Sequence, residues 1–393
     1  MRRQTSLLII GAGPFGLAQA AYAHDAGIDY RIVGSPMQFW RQHMPKGMYL
    51  RSGTDWHLDP SGDCTIERFM AAQGLTRRDV EPLSLECYLA YARWFQEQHH
   101  IEPIPTPVDE LEPPDEHRDR FLVTLEDGQS IAAEHVVVAV GFGYFRHCPP
   151  ELIALLPPGR FAHTCDLVDF SAHVATRCLI IGGRQSAFEW AALLREAGAE
   201  TVHVVHRHDS PAFAAADWTW VTPLVEKLLV DPGWYRRLPA EERQAVDHRF
   251  WAEGRLKIEP WLEARVRRSG IDVWPRAQVV ACVERPDGEL DATLDNGQTL
   301  AIDQVVLATG YKVQIHQVPF LGHGAIRERL RTRNGYPVLD EHLQTSIPGL
   351  FITSMPATQD FGAFFAFTVS ARASAALIGE AIQERARAAH ATS

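Results

Sequence analysis

The feature that most constrains this chain is that it repeats itself. Leu7 to Gly13 (LLIIGAG) recurs 171 residues later as Cys178 to Arg184 (CLIIGGR). Each apolar run ends in glycine and leads into a helix-like stretch that closes in a similar turn, HDAGID at 24–29 and REAGAE at 195–200. A second pair aligns without gaps at an offset of 169. LEDGQSIAAEHVVVAVG at 125–141 matches LDNGQTLAIDQVVLATG at 294–310 at eight of seventeen positions. Two independent alignments at nearly one offset make a duplication, and a repeat governs every later reading of the chain. The DG and NG steps are hairpin signals, and VVVAVG and VVLATG read as buried strands.

Each copy is therefore strand, glycine turn, helix, strand, then a hairpin feeding a buried strand. Strand–helix alternation with continuous apolar strands predicts an α/β protein with two doubly wound, Rossmann-like domains. The copies are nested. Residues 1–160 and 300–393 are expected to form one discontinuous domain, and 161–299 a second one inserted in it. Between the second copy's elements, at about 211–270, lies an insertion holding five of the ten tryptophans: Trp218, Trp220, Trp234, Trp251 and Trp261. WVTPLVEKLL and AEERQAVDHRFWAE have helical periodicity. The insertion reads as a helical lobe with its aromatics packed inside, or else as a substrate lid or oligomer interface.

Composition narrows the function classes. With 38 Lys plus Arg against 49 Asp plus Glu, the net charge is −11. An acidic chain without a basic block lacks what supplies most nucleic-acid affinity, so no nucleic-acid partner is expected. The six cysteines form no C-x-x-C. That argues against a redox dithiol or a paired zinc framework, and a reduced, cytoplasmic setting fits such sparse cysteine best. MRRQTSLLIIGAGPFGLAQAAYA has the layout of a signal peptide, but its glycines break the apolar stretch. No uninterrupted apolar run approaches about 18 residues, so no membrane span is expected.

The first turn, Gly11-Ala12-Gly13-Pro14-Phe15-Gly16, follows a strand and opens a helix. Gly11 permits the tight turn, Gly13 lets the backbone approach a pyrophosphate, and Gly16 lets helix pack on strand. The helix N-terminus supplies a positive field for the phosphates. The acidic residue that commonly ends the next strand and binds ribose is replaced by Gly34 and Ser35. The second turn, Gly182-Gly183-Arg184-Gln185-Ser186, carries Arg184 where the second glycine of G-x-G belongs. A side chain there either crowds a pyrophosphate or swings out and pairs with phosphate. The following strand ends His206-Arg207-His208. A basic Arg207 in place of an acid accommodates a 2′-phosphate and favours NADPH. His206 and His208 have no third ligand nearby in the sequence, and no metal is expected.

Two such units, the first followed by a strand ending AVG and the second by LATGY, resemble the class B flavoprotein monooxygenases. Asp303 to Tyr311 (DQVVLATGY) is similar to the D-x-x-x-[LF]-A-T-G-Y signature of their N-hydroxylating branch. Gly159-x-x-x-His163 resembles the core of the monooxygenase fingerprint, with Pro157 and Leu167 replacing its flanking aromatics. The resemblance covers nearly the whole chain and implies FAD on the first unit and NADPH on the second. Reduced flavin would take up O2 at C4a and deliver one oxygen atom to a nitrogen or sulfur of a small molecule. It further implies that PMQFWRQHMPKGMYLRS (36–52) runs beneath the flavin, with Ser35, Trp40, Met48, Leu50 and Ser52 as FAD contacts. Asp55 and Trp56 would face the ring as catalytic candidates. Thr309, Gly310 and Tyr311 would lie between the domains, and Gly362 and Ala363 at the flavin ring. Ring hydroxylation of a purine-like heteroaromatic stays open, as do a non-dithiol NAD(P)H:acceptor reductase, a flavin-binding regulator that has lost nicotinamide binding, and a homo-oligomeric state.

Overall fold

The structure, a computed structural model, describes residues 3–391. Its first sheet is centred on β1 (Arg3–Ile10), which pairs in parallel with β2 (Tyr30–Val33) and β5 (Ser130–Val138). Leu7, Leu8 and Ile9 are wholly buried, each contributing about 1.5–3 kcal/mol by leaving water. The apolar N-terminal run is thus the middle of a sheet. Beyond it, β3 (Val108–Glu112) and β4 (Phe121–Leu125) complete an antiparallel edge through the first half of β5. The glycine turn after β1 opens α1 (Pro14–Asp25).

The second sheet has the order β9–β8–β7–β13–β6, all parallel. Its strands are β6 (Phe161–His163), β7 (Arg177–Ile181), β8 (Thr201–His206), β9 (Ile271–Pro275) and β13 (Gln304–Leu307). A three-stranded antiparallel meander, β10 (Val279–Glu284), β11 (Leu290–Leu294) and β12 (Thr299–Ile302), precedes β13. Here the copies differ. In the first the hairpin strand and buried strand are one element, β5; in the second they separate at Asp303, whose carboxylate accepts from the backbone N–H and the guanidinium of Arg177. The boundary at 299/300 also needs correction. β13 lies between β7 and β6, so the second unit continues through the LATG turn, because that strand is needed to close its own sheet.

After that turn the chain returns to the first sheet. β14 (Leu350–Ile352) pairs in parallel with the second half of β5, Leu350 opposite Val136, and the final helix, here α6 (Ala371–Ala391), packs along α1. The second glycine turn opens α3 (Gln185–Ala197), after α2 (Leu85–Gln98) in the first unit.

The insertion belongs to the second unit in sequence, and its end packs there through Ile258, Leu262 and Val266, but its helical part does not. Its helices α4 (Val221–Val230) and α5 (Ala240–Trp251) bury Val221, Val225, Leu228 and Phe250 in the first unit's hydrophobic core. Phe250 meets Phe367 with ring centroids 5.1 Å apart, and Tyr235 meets Phe364 at 6.0 Å. Not all its aromatics are inside: Trp251 is 44 % exposed. Among the described residues no helix is long and apolar enough to cross a membrane.

Candidate functional site

A cleft of about 300 Å³ opens at the C-terminal ends of β1, β2 and β5, where open α/β sheets place their ligands. Gly11, Gly13, Pro14, Phe15, Ser35 and Trp40 line it. The turn's glycines divide their work. A Cβ on Gly16 would lie 1.8 Å from the Gly11 carbonyl oxygen, so this residue sets the helix against the turn. A Cβ on Gly13 would meet no protein atom within 4 Å. Gly13 therefore faces open space beside the first N–H groups of α1, which have no intrahelical acceptor. Such an arrangement can accept a phosphate. Trp40 is fixed by Tyr88, whose ring lies 4.7 Å away.

Other wall residues had no motif to announce them. His43, Phe142, Tyr144, Phe320, Ser354, Ala366 and Thr368 all line the cleft. Gly362 and Ala363 do not, correcting the expectation that they reach the ring. Gly362 caps a short helix at φ +93° with the Phe364 ring against it. The chain makes a further helical turn before Ala366 and Thr368 arrive at the wall.

The segment after His43 leaves this cleft. Met48 packs between the two units' cores. Leu50, Ser52, Asp55 and Trp56 line a second cleft, of about 490 Å³, against the insertion. Asp55 and Trp56 were expected at the flavin face, yet neither lines the first cleft. The Trp56 N–H closes a turn on the Gly53 carbonyl, and Trp56, 3 % exposed, packs on Trp218 at 6.0 Å. The two clefts adjoin where the Thr368 hydroxyl donates to the Ser52 hydroxyl at 3.4 Å.

At the second turn, Gly183 is pressed against the His206 ring, only 2.4 Å from where a Cβ would stand. Arg184 is turned away onto the insertion. It donates to the Arg255 carbonyl at 2.7 Å and its guanidinium lies 5.2 Å from the Trp251 ring centre. Burial lowers its pKa first, and the nearby charges of Arg255 and Arg207 lower it further. The three guanidinium groups make this a positive cluster. Gln185 binds Glu189 and the Glu259 N–H, while Ser186 and Arg207 are exposed. His206 and His208 stack at 4.5 Å, each with its Nδ1 on a backbone carbonyl. Burial, aided by the His208 charge, pushes His206 down to about 4.

The remaining motif residues meet between the sheets. His163 donates from Nε2 to the Gly310 carbonyl at 3.1 Å, and Tyr311 packs on Phe142 and His163. Thr309 donates to the His147 carbonyl. Sequence reasoning missed two polar groups here. Glu189 on α3, 1 % exposed, accepts from the Tyr49 N–H of the first unit at 3.3 Å and faces Arg265 at 3.4 Å. Burial pushes its carboxyl up to about 7, against the pull of Arg265. Asp59, fully buried, lies with Cys64 and His99 in one of the two groups among the described residues whose ligand-type atoms are mutually within 4.8 Å; the other is His43, Cys165 and Asp166. Asp59's oxygens are taken by the N–H groups of Ser61 and Cys64 and the Ser61 hydroxyl, a turn-building arrangement.

Comparison with known proteins fits this geometry. The ferredoxin–NADP reductase 1 of Cupriavidus necator is 29 % identical over 302 residues, covering 70 % of each chain. Another ferredoxin–NADP reductase, 30 % identical, is matched over 54 % of its length. Among solved structures, the ornithine N-hydroxylase of Kutzneria sp. 744 superposes with a TM-score of 0.78 at 16 % identity, covering 97 % of this chain and 99 % of that one. The bacillithiol disulfide reductase of Staphylococcus aureus gives 0.65 at 18 % identity, covering 98 % and 99 %. Two family models described as pyridine nucleotide-disulphide oxidoreductase match residues 8–232 and 246–353. With two glycine-turn units, two clefts and more than half its length under one of these models, the chain belongs to the pyridine nucleotide-disulphide oxidoreductase family.

Proposed function

We propose that this chain is an FAD- and NADPH-dependent monooxygenase that places one oxygen atom of O2 on a nitrogen or sulfur atom of a small molecule. NADPH supplies two electrons and the second oxygen atom leaves as water. Flavin, when bound, supplies the hydride acceptor and the reaction with oxygen. The first cleft fits it: Gly13 opens onto space beside the helix N-terminus, and Ser35, Trp40 and Thr368 complete the wall. The positive cluster of Arg184, Arg207 and Arg255 suits the 2′-phosphate of NADPH.

The observation that carries the reading is the second cleft. An oxygenating site needs a sheltered pocket beside the flavin, and the second cleft, where Trp218 and Trp261 of the insertion meet Trp56 of the first unit, adjoins the first cleft at Ser52 and Thr368. The family name's dithiol chemistry has no support in the chain, since none of the six free cysteines lines either cleft. A second reading, electron transfer to a protein acceptor, is favoured by the ferredoxin–NADP reductase relatives.

The test begins with anaerobic addition of NADPH, with NADH as control, watching the flavin band near roughly 450 nm. Bleaching by NADPH is expected. In air, oxygenated product formed in step with NADPH oxidation supports monooxygenation. Rapid turnover with ferredoxin and none with amines, thioethers or heteroaromatics would overturn it in favour of the reductase.

A further inference from the structure

The wall of the first cleft carries no formal charge: no Asp, Glu, Lys or Arg is among the described residues that line it. In dinucleotide-binding units an acid at the end of the second strand, about 20 residues beyond the glycine turn, takes the ribose hydroxyls. Here β2 ends at Val33, and the next residue, Gly34, has φ +117°. L side chains rarely adopt that conformation, so the backbone itself disfavours an acid there. The Gly34 N–H is also spent, donating to the Ile104 carbonyl at 2.8 Å. A ribose partner has to come from the residues just beyond.

Two polar side chains of the wall follow, Ser35 and Gln38. The segment between them is clamped to the glycine turn, because the Met37 N–H donates to the Ala12 carbonyl at 2.9 Å. Met37, buried and at φ +52°, makes the bend after which Gln38 reaches the wall. The Gln38 amide is oriented as well. Its Nε2 donates to Gln42 Oε1 at 3.1 Å, and its own Oε1 has no partner among the described residues. One Nε2 hydrogen and the Oε1 lone pairs therefore remain free. A donor beside an acceptor matches a vicinal diol, in which one hydroxyl donates and its neighbour accepts. Ser35 offers a single hydroxyl, and a carboxylate would offer acceptors only.

Resting on the assignment of FAD to the first cleft, we infer that Gln38 binds the adenosine ribose there, and that this chain recognises the ribose diol through a neutral amide instead of an acid. Gln42 is the positioning residue, since its bond to Nε2 fixes which way the amide faces.

The experiment strips flavin from the full-length protein and titrates back FAD and its 2′-deoxyadenosine analogue, read by the change in flavin fluorescence. FAD should bind about tenfold more tightly than the analogue, which lacks one of the two hydroxyls. Gln38→Leu should weaken FAD by about that factor, leave the analogue nearly unchanged and so erase the preference. Gln38→Glu, which keeps acceptors at the same reach, should retain most of it. Gln38 is exposed, and an unchanged melting temperature of the flavin-free variants shows that they fold. A preference that survives Gln38→Leu, or an equal loss for both dinucleotides, overturns the inference and leaves FAD in the first cleft. Wild-type protein that binds neither dinucleotide would overturn the cofactor reading, and the inference with it.

Discussion

Arg184 donates from Nη1 to the backbone carbonyl of Arg255 at 2.7 Å, across 71 residues of sequence. The side chain standing where a glycine belongs is thus held off the turn by the insertion, and the turn stays open although its sequence is imperfect. The charges of Arg255 and Arg207 both act on Arg184 there.

Arg184→Ala should therefore weaken NADPH by about tenfold and NADH by much less, because a charge-assisted contact to phosphate is lost and only NADPH carries the 2′-phosphate. The concentration dependence of anaerobic flavin reduction by each nucleotide measures this. Equal loss for both would assign Arg184 to holding the insertion instead.

Two glycines of the first turn should fail in different ways. A Cβ at Gly13 meets no protein atom within 4 Å, so the Gly13→Val chain should fold with a nearly unchanged melting temperature and purify without colour, its side chain occupying the space a phosphate needs. Gly16→Ala drives a methyl into the Gly11 carbonyl and should cost about 1–3 kcal/mol of stability by overpacking. Absorbance spectra and melting curves of the purified variants separate the two. A yellow Gly13→Val protein would remove the first cleft as the flavin site.

Glu189 makes stability depend on pH with a particular sign. Its folded pKa, about 7, lies above its ordinary value of 4.5. The native state therefore holds a proton that the unfolded chain releases, and stability falls as pH rises from about 4.5 to about 7. The loss is on the order of 3 kcal/mol. Glu189→Gln should abolish that contribution, and Arg265 keeps Glu196 at 2.8 Å as partner. The readout is the difference between wild-type and variant denaturation across this window. His57, His135 and His206, each pushed down to about 4 mainly by burial, tilt both curves the opposite way. A difference that does not change with pH would refute the assignment.

Much of the scaffold is legible in the chain because it is written locally. An apolar run ending in glycine specifies a buried strand and a turn whatever surrounds it. That is why LLIIGAG and CLIIGGR each become a strand, turn and helix, and why the DG and NG steps become hairpins. The glycine turn of Gly11, Gly13 and Gly16 belongs to the same class, since its geometry is backbone geometry set by residue type.

What only the tertiary structure decided is where separate segments meet. An amphipathic helix states that one face must be buried but not against which partner; thus α4 and α5, flanked by second-unit strands, dock on the first unit. The Arg51–Glu259 pair joins residues 208 apart, and no local pattern encodes such a partner. Asp55 and Trp56 show the same limit, for the chain has already reached the second cleft's wall by Leu50. The sequence determined two nucleotide-type units and the turn that opens the first. The wall of three indoles exists only after folding, because packing free energy depends on which surfaces come into contact, and that is a property of the whole chain.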